Sequence, residues 1–344
     1  MDRQLKKEPP LSLQRKKFLA GSAAAIAGIG IVRSPSAAAE YQYKFATNAP
    51  ISHPLNTNAV PMWKNVLRDS NGRLDVKIYP NNQLGGDTAM LTQLRSGAIQ
   101  FFILSGGILT NVVKVAGIQG VPFAFKSHKE VYAAFDGQLG AYVRKEIENG
   151  GLFAMPYITD NGFRQITNWV RPIKTADDLK GLKLRTPAGA LWVDLFKTLG
   201  ANVTAINISE AYSALQTHVV DGQENPFIII EFQRFFEVNK YLSITNHMWD
   251  GYWFLANCEQ WKALGPDLQK IVLKHADVYC HAERTDNNNF NLALADKLQR
   301  QGMVFNNADV STFKAKLPEF YARWKQEFGS TAWELMEKYT GKLG

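Results

Sequence analysis

Between Pro266 and Gln301 the chain carries an almost uninterrupted helical pattern, with proline at the first helical position and Gly302 just past the end. About 36 residues at about 1.5 Å each give a rod of about 54 Å, longer than one small domain. Such a helix is expected to run across two lobes. The stretch Asp286-Asn287-Asn288-Asn289 is poor in helix formers and permits a bend there.

The rest of the chain alternates strands with helices. Residues 41–47 read as a strand, 59–70 as an amphipathic helix stopped by Asn71-Gly72, and 74–79 as a strand of clean alternation ended by Pro80. Gly85-Gly86-Asp87 caps a helix running to Arg95, and 99–104 is a short apolar strand. After Arg164 the same grammar returns: a capping box at Thr175 and Asp178, a strand over 182–185, a helix over 190–199 closed by Gly200, and a strand over 203–206. Ser209 then caps a helix over 210–220. This order predicts an α/β fold with mostly parallel sheets covered on both faces.

The first 39 residues read as an export signal. Basic Arg15-Lys16-Lys17 precedes a weakly apolar run to Val32, too short to span a membrane, and then Ala37-Ala38-Ala39, with cleavage expected after Ala39. Residues 15–19 are like a twin-arginine motif with Lys16 in place of the second arginine; the general secretory route and an uncleaved anchor are the alternatives. Seven basic and two acidic side chains fall in this segment, so a formal +3 of the +8 remains after it. No later block of Lys and Arg with interleaved aromatics suggests nucleic-acid binding. No later apolar run approaches the roughly 20 residues of a membrane helix.

Cys258 and Cys280 make neither a disulfide framework nor a metal-ligand spacing and read as packed thiols. The six histidines form no HxxxH pair with acidic partners, and no GxSxG, P-loop or Rossmann fingerprint occurs after the signal. No metal, cofactor or catalytic set is expected.

Chemistry concentrates between Asn161 and Pro226, in NGFRQITN (161–168), KGLKLRTP (180–187) and SEAYSALQTHVVDGQENP (209–226). Arg164 follows a strand over 152–159, and Arg185 ends another, with Pro187 turning the chain away. A guanidinium there can be aimed inward, where its planar fork matches a carboxylate in two charge-assisted hydrogen bonds. Pro226 disfavours helical geometry at Asn225, so that amide can turn inward too. These strings, with YPNNQLGGDTAMLTQLRSGA (79–98) and more loosely most of the chain from Tyr41 to about Gly302, resemble the solute receptors of TRAP (tripartite ATP-independent periplasmic) transporters, the DctP-type family.

The resemblance implies a two-lobed periplasmic-binding-protein type II-like fold, with chain crossings near Asn161 and Gly251, a ligand cleft between the lobes and a long helix spanning both. Lobe I would take residues 40–162 with about 250–290, and lobe II 163–249 with about 291–344. It also implies roles in ligand binding: Arg185 in a bidentate salt bridge with the substrate carboxylate, Arg164 as a second arginine beside it, Asn225 as a donor to it, and Asn48 reaching from the opposite lobe. Each has a plainer reading: Arg185 paired to Asp177 or Asp178, Arg164 pinning the interlobe strand, and Asn48 forming a turn before Ala49-Pro50.

Glu224 would oppose a bound carboxylate and is read as ordering a helix end or an arginine. Where the sialic-acid branch carries a glutamate and an arginine, residues 104–108 offer Ser105 and Ile108, so a sialate would lose partners. Trp192, Phe227, Trp249, Tyr252 and Trp253 lie near the clamp or the crossover; singly each is equally a core residue, and together they favour an acid with an apolar or aromatic body. The expected binding set is therefore Arg185, Arg164, Asn225, Asn48, Ser105, Trp192, Phe227, Trp249 and Tyr252.

The expected function is that of a monomeric, non-catalytic receptor in the periplasm. An organic acid, a 2-oxo or 2-hydroxy monocarboxylate first and a C4-dicarboxylate second, binds in the cleft and is delivered to the small and large membrane subunits of a TRAP transporter. The alternatives are a receptor for an ATP-driven importer on the same fold, a periplasmic enzyme, for which no acid–base or nucleophile set is evident, and a sensing subunit for a signalling kinase.

Overall fold

The computed structural model describes residues 39–343, and the expected export signal lies outside them but for Ala39. Twelve strands form two six-stranded sheets. The strands are β1 Tyr41–Ala46, β2 Leu74–Tyr79, β3 Phe101–Ser105, β4 Leu152–Ala154, β5 Thr159–Phe163, β6 Gln165–Asn168, β7 Lys183–Thr186, β8 Asn202–Ala205, β9 Gly222–Asn225, β10 Tyr241–Ile244, β11 Trp249–Asn257 and β12 Val304–Asn307. The first sheet runs β2-β1-β3-β11-β4, with β5 also on β11, and the second runs β12-β10-β6-β9-β7-β8.

Both sheets are mixed: the first has two parallel and three antiparallel pairings, contrary to the expectation of mostly parallel sheets, and the second three parallel, β10 with β12 among them, and two antiparallel. β1 pairs parallel with β2 and β3, and β7 with β8 and β9, as alternating strands and helices dictate. The antiparallel pairings all involve β11 or β6. These belong to the two passages of chain between the sheets: β5 and β6 are separated by Arg164 alone, and β10 and β11 by residues 245–248. The outgoing passage pairs with the returning one on both sides of the crossing, β5 with β11 and β6 with β10. A chain that crosses and comes back must enter each sheet against its neighbours, and local strand patterns carry no sign of that.

The long helix spans Gly265–Arg300, 36 residues, and is helical through Asp286–Asn289, where a bend was allowed. Its first half supplies Leu268, Val272, Ala276 and Tyr279 to the core beneath the first sheet, and its end supplies Leu294 and Leu298 to the core of the second. Where it passes the crossing ribbon its polar residues find partners: Asn287 Nδ2 donates to Asp160 Oδ2 at 2.9 Å, and the backbone N–H of Asp160 donates to Glu283 Oε2 at 2.9 Å. The asparagine run is thus a contact with the crossing strands rather than a break.

Two further local expectations shift. The helix after β8 spans Ile208–Gln216 with Asn207, not Ser209, at its N-cap, and the Asn207 side chain reaches Thr88 instead of capping its own helix. The helix Ser330–Thr340 packs on His128–Phe135 and Gln138–Asn149, helices of the first sheet's side, because Trp333 and Met336 share a core with Val131, Phe135 and Leu139. The chain end therefore departs from the expected assignment of 291–344 to lobe II.

Candidate ligand-binding site

The carboxyl ends of the parallel strands of both sheets face one cavity, as open α/β sheets dictate. From the first sheet's side come Asn48 just past β1, Asp87 opening the helix Asp87–Ser96, Ser105 at the end of β3, and Ile108. From the second come Arg185 on β7, Pro187, Trp192, Ile208, Asn225 at the end of β9, Ile229 and Gln233. The crossing ribbon supplies Asn161, Arg164, Asp250 and Tyr252.

The walls meet on both sides of this cavity. A Cβ on Gly107 would fall 2.1 Å from the Trp192 ring, and one on Gly189 would fall 2.4 Å from the Gly107 carbonyl oxygen. Asn111 Nδ2 donates to the Ala188 carbonyl at 2.8 Å. On the other side Asn207 Nδ2 donates to Thr88 Oγ1 at 3.4 Å. The cavity volume between the walls is only about 30 Å³. It is a narrow slot.

Seven of the nine expected residues border this slot: Arg185, Arg164, Asn225, Asn48, Ser105, Trp192 and Tyr252. Trp249 and Phe227 do not. Trp249 points to the opposite face of β11, donating Nε1 to Asp160 Oδ1 at 2.8 Å and packing on Phe135. Phe227 packs against Phe305 on the outer side of the second sheet's core. Asp87, Asn161 and Asp250 border the slot and were not among the expected residues.

The two arginines are held differently. Arg164 grips Glu224 through Nε–Oε2 at 2.5 Å and Nη2–Oε1 at 2.8 Å, donates Nη2 to the Glu224 carbonyl at 2.7 Å, and donates Nη1 to Asp250 Oδ2 at 2.8 Å. Of five guanidinium hydrogens one is left. Its plane lies over the Trp192 ring, 5.1 Å from the centroid. Burial opposes the Arg164 charge, yet Glu224 and Asp250 outweigh it and raise the pKa. Burial also opposes the Glu224 charge, but Arg164 and the Nε2–H of His247 at 3.0 Å hold its carboxyl below the usual value. Thr245 Oγ1 sits 2.8 Å from His247 Nδ1, and burial keeps that imidazole neutral, which fixes the tautomer that donates to Glu224.

Arg185 has no such partners. Nε donates to the Ile206 carbonyl at 2.8 Å, and Nη1 is buried without a partner. Asp177 and Asp178 are occupied elsewhere, by Lys316 and Lys180 and by Thr175. Burial pushes the Arg185 guanidinium down to about 10, with nearby Arg164 adding to the effect and Glu224 and Asp87 opposing it. Trp192 Nε1 is a second buried donor without a partner on the slot, and Asn161 Oδ1 and Asp87 Oδ1 are buried acceptors without one. Asn225 Nδ2 donates to Gln223 Oε1 at 2.5 Å, which orients the amide and leaves its second hydrogen free.

Asp87 accepts from Asn48 Nδ2 at 3.2 Å, and burial pushes its carboxyl up to about 6, with Asn48 and Arg185 pulling the other way. Its folded pKa lies above the unfolded value of about 3.9. The contribution to stability is therefore full below about pH 4 and is lost as the pH rises through about 6. Asp87→Asn is expected to be more stable than the parent by about 2–3 kcal/mol at about pH 8, with the gap closed by about pH 4, as read from urea unfolding at both values.

A slot between two α/β lobes, with unpartnered cationic and neutral donors on one side and acceptors on the other, is built to hold a small polar anion. It offers no positioned nucleophile. The comparisons with known proteins agree. Residues 45–327 match the model of the bacterial extracellular solute-binding protein family 7, DctP. The 2,3-diketo-L-gulonate-binding periplasmic protein of Escherichia coli is 30% identical over 253 residues, 73% of this chain and 76% of that one. A TRAP periplasmic solute-binding protein from a Polaromonas species, solved bound to D-erythronate, superposes with a TM-score of 0.83 at 28% identity, covering 88% of this chain and 99% of that one. Another, from Sulfurospirillum deleyianum with bound succinate, gives 0.82 at 26%, again over 88% and 99%. Among the described residues no helix is long and apolar enough to cross a membrane. The chain belongs to the DctP family of bacterial extracellular solute-binding proteins, the non-enzymatic periplasmic receptors that bind small organic acids for TRAP transporters.

Proposed function

We propose that this receptor binds a small monocarboxylate carrying a 2-hydroxy or 2-oxo group, and presents it to the small and large membrane subunits of a TRAP transporter in the periplasm. The observation that carries this reading is the buried, unpartnered Nη1 of Arg185 on the slot, beside the free hydrogen of Asn225. A carboxylate there would complete the fork that no internal acid fills. Trp192 Nε1 is a further donor for the same group or for a 2-oxo oxygen. A hydroxyl on the acid would donate to Asp87 Oδ1 or Asn161 Oδ1, the unpartnered acceptors. Ile108, Pro187, Ile208 and Ile229 supply apolar wall for the carbon chain. With Trp249 and Phe227 turned away, a short aliphatic body fits the slot better than an aromatic one.

The lobes of this proposal are the first sheet with residues 40–162 and about 250–290, and the second sheet with residues 163–249 and the end of the long helix. The receptor of this proposal works as a monomer.

The test is a thermal-shift screen of residues 40–344 against organic acids, each with its amide or alcohol counterpart. An acid at about 100 times its dissociation constant adds about 2.7 kcal/mol of stability, a readily measured shift. Shifts confined to one series of acids and absent for their amides are expected. Amides working as well as acids would overturn the carboxylate clamp.

A further inference from the structure

The slot contains two guanidinium groups but only one anion site. Arg164 already faces two carboxylates, Glu224 and Asp250, at hydrogen-bonding distance. Asp250 cannot swing away to vacate that position. Besides Arg164 it accepts from Ser105 Oγ at 2.6 Å and Gln119 Nε2 at 3.1 Å on Oδ1, and from Asn161 Nδ2 at 2.9 Å on Oδ2. The opposite wall carries Asp87, buried, with Oδ1 unpartnered and Asn48 donating to Oδ2. With these acids ionised, Arg164 and Arg185 stand against Glu224, Asp250 and Asp87, so the slot is a net anion before any ligand enters.

We propose that Asp250 and Asp87 make this receptor selective against a second carboxylate, Asp250 occupying from within the place on Arg164 that a dianion would need, and Asp87 repelling a negative end while accepting from a neutral one. The inference rests on the Arg185 clamp of the preceding section. It deepens that reading by separating monocarboxylates from the C4-dicarboxylates that share their length. A single carboxylate meets Arg185. A second meets no cation that is not already neutralised, and lies within a few ångströms of Asp87 or Asp250. Like charges so placed in a partly dehydrated slot repel strongly enough to change affinity by at least about tenfold.

The experiment measures affinities for matched pairs by calorimetry: 2-hydroxybutanoate against malate, and butanoate against succinate, for the parent protein, Asp87→Asn, Asp250→Asn and the double variant. The parent is expected to bind the monocarboxylate of each pair at least about tenfold more tightly. Asp87→Asn alone should shrink that ratio, and Asp250→Asn, which removes the charge paired with Nη1 of Arg164, should shrink it further or reverse it. Asp87→Asn keeps the test valid where Asp250→Asn fails to fold. Malate or succinate binding as tightly as its partner in the parent, or a ratio unchanged in the folded variants, overturns the selectivity. Binding of neither member of any pair, or binding that survives Arg185→Ala, overturns the clamp on which it rests.

Discussion

Replacing Arg185 with alanine is expected to lower the affinity for the acid found in the screen by about a hundredfold or more, while leaving the ligand-free fold at least as stable as before. Both halves follow from how the side chain is held. Its fork lacks an internal acid, Nη1 is buried without a partner, and burial pulls the guanidinium down to about 10. In the free receptor this is a buried charge with no acid hydrogen-bonded to it, and its burial outweighs the attraction of Glu224 and Asp87. In the proposed complex it would be half of an ion pair, and breaking a buried pair on one side typically costs about 3–5 kcal/mol. Alanine therefore removes the main attraction for the ligand and, with it, a source of strain worth about 1–3 kcal/mol in the empty protein. Arg185→Lys should recover only part of the affinity, since an ammonium cannot form the two parallel bonds. Calorimetry and urea unfolding on the same preparations check both halves. Affinity within about threefold of the parent would end the clamp model, and a loss of stability would mark Arg185 as structural.

The elements were largely legible in the sequence because they rest on local rules: the 36-residue helix on periodicity and a proline start, and the strands around it on alternation and turn residues. The direction of pairing was not legible. It depends on the chain crossing between sheets twice at Arg164 and at residues 245–248, a long-range event with no local signature. The site shows the same divide. Arg185 and Asn225 sit at strand ends just before Pro187 and Pro226, so their position on the chain could be read, whereas Arg164 joins two strands with no turn between them. On β11, by contrast, the facing depends on parity. Asp250 and Tyr252 border the slot while Trp249 and Trp253 join the core behind the sheet, and all nine residues of the strand are buried, so no exposed polar residue marks which face is which. Trp249 was accordingly placed on the wrong side and Asp250 missed. Asp87 lay inside a quoted motif, but its position at a helix start has a sufficient local explanation, which concealed its place on the cavity wall.

Arg164 and Arg185 are equally buried, each at 1% exposure, and the corresponding substitution of Arg164 is expected to act in the opposite sense. Arg164→Ala should destabilise the fold by about 3–5 kcal/mol at about pH 7.5, because it leaves Glu224 and Asp250 buried beside one another without the cation that pairs with both. His247 still donates to Glu224, and Ser105, Gln119 and Asn161 to Asp250, so the carboxylates keep hydrogen bonds but lose their counter-charge. Their folded pKa values would then rise above the unfolded ones. Stability in the variant is accordingly present at low pH and lost as the pH rises, so the deficit should narrow on acidification towards about pH 5. A role confined to ligand binding predicts no such pH dependence in the empty protein. Adding Glu224→Gln should restore part of the loss, since the remaining Asp250 is the better hydrogen-bonded of the two acids. Urea unfolding of the single and double variants at about pH 5 and 7.5 separates the outcomes. A single variant as stable as the parent at both values would mean that Arg164 is held by the ligand rather than by the ribbon it appears in here between β5 and β6. The expected loss would instead show that the crossing point is fastened by these ion pairs, which occupy Arg164 and leave Arg185 as the guanidinium on the slot without an acid hydrogen-bonded to it.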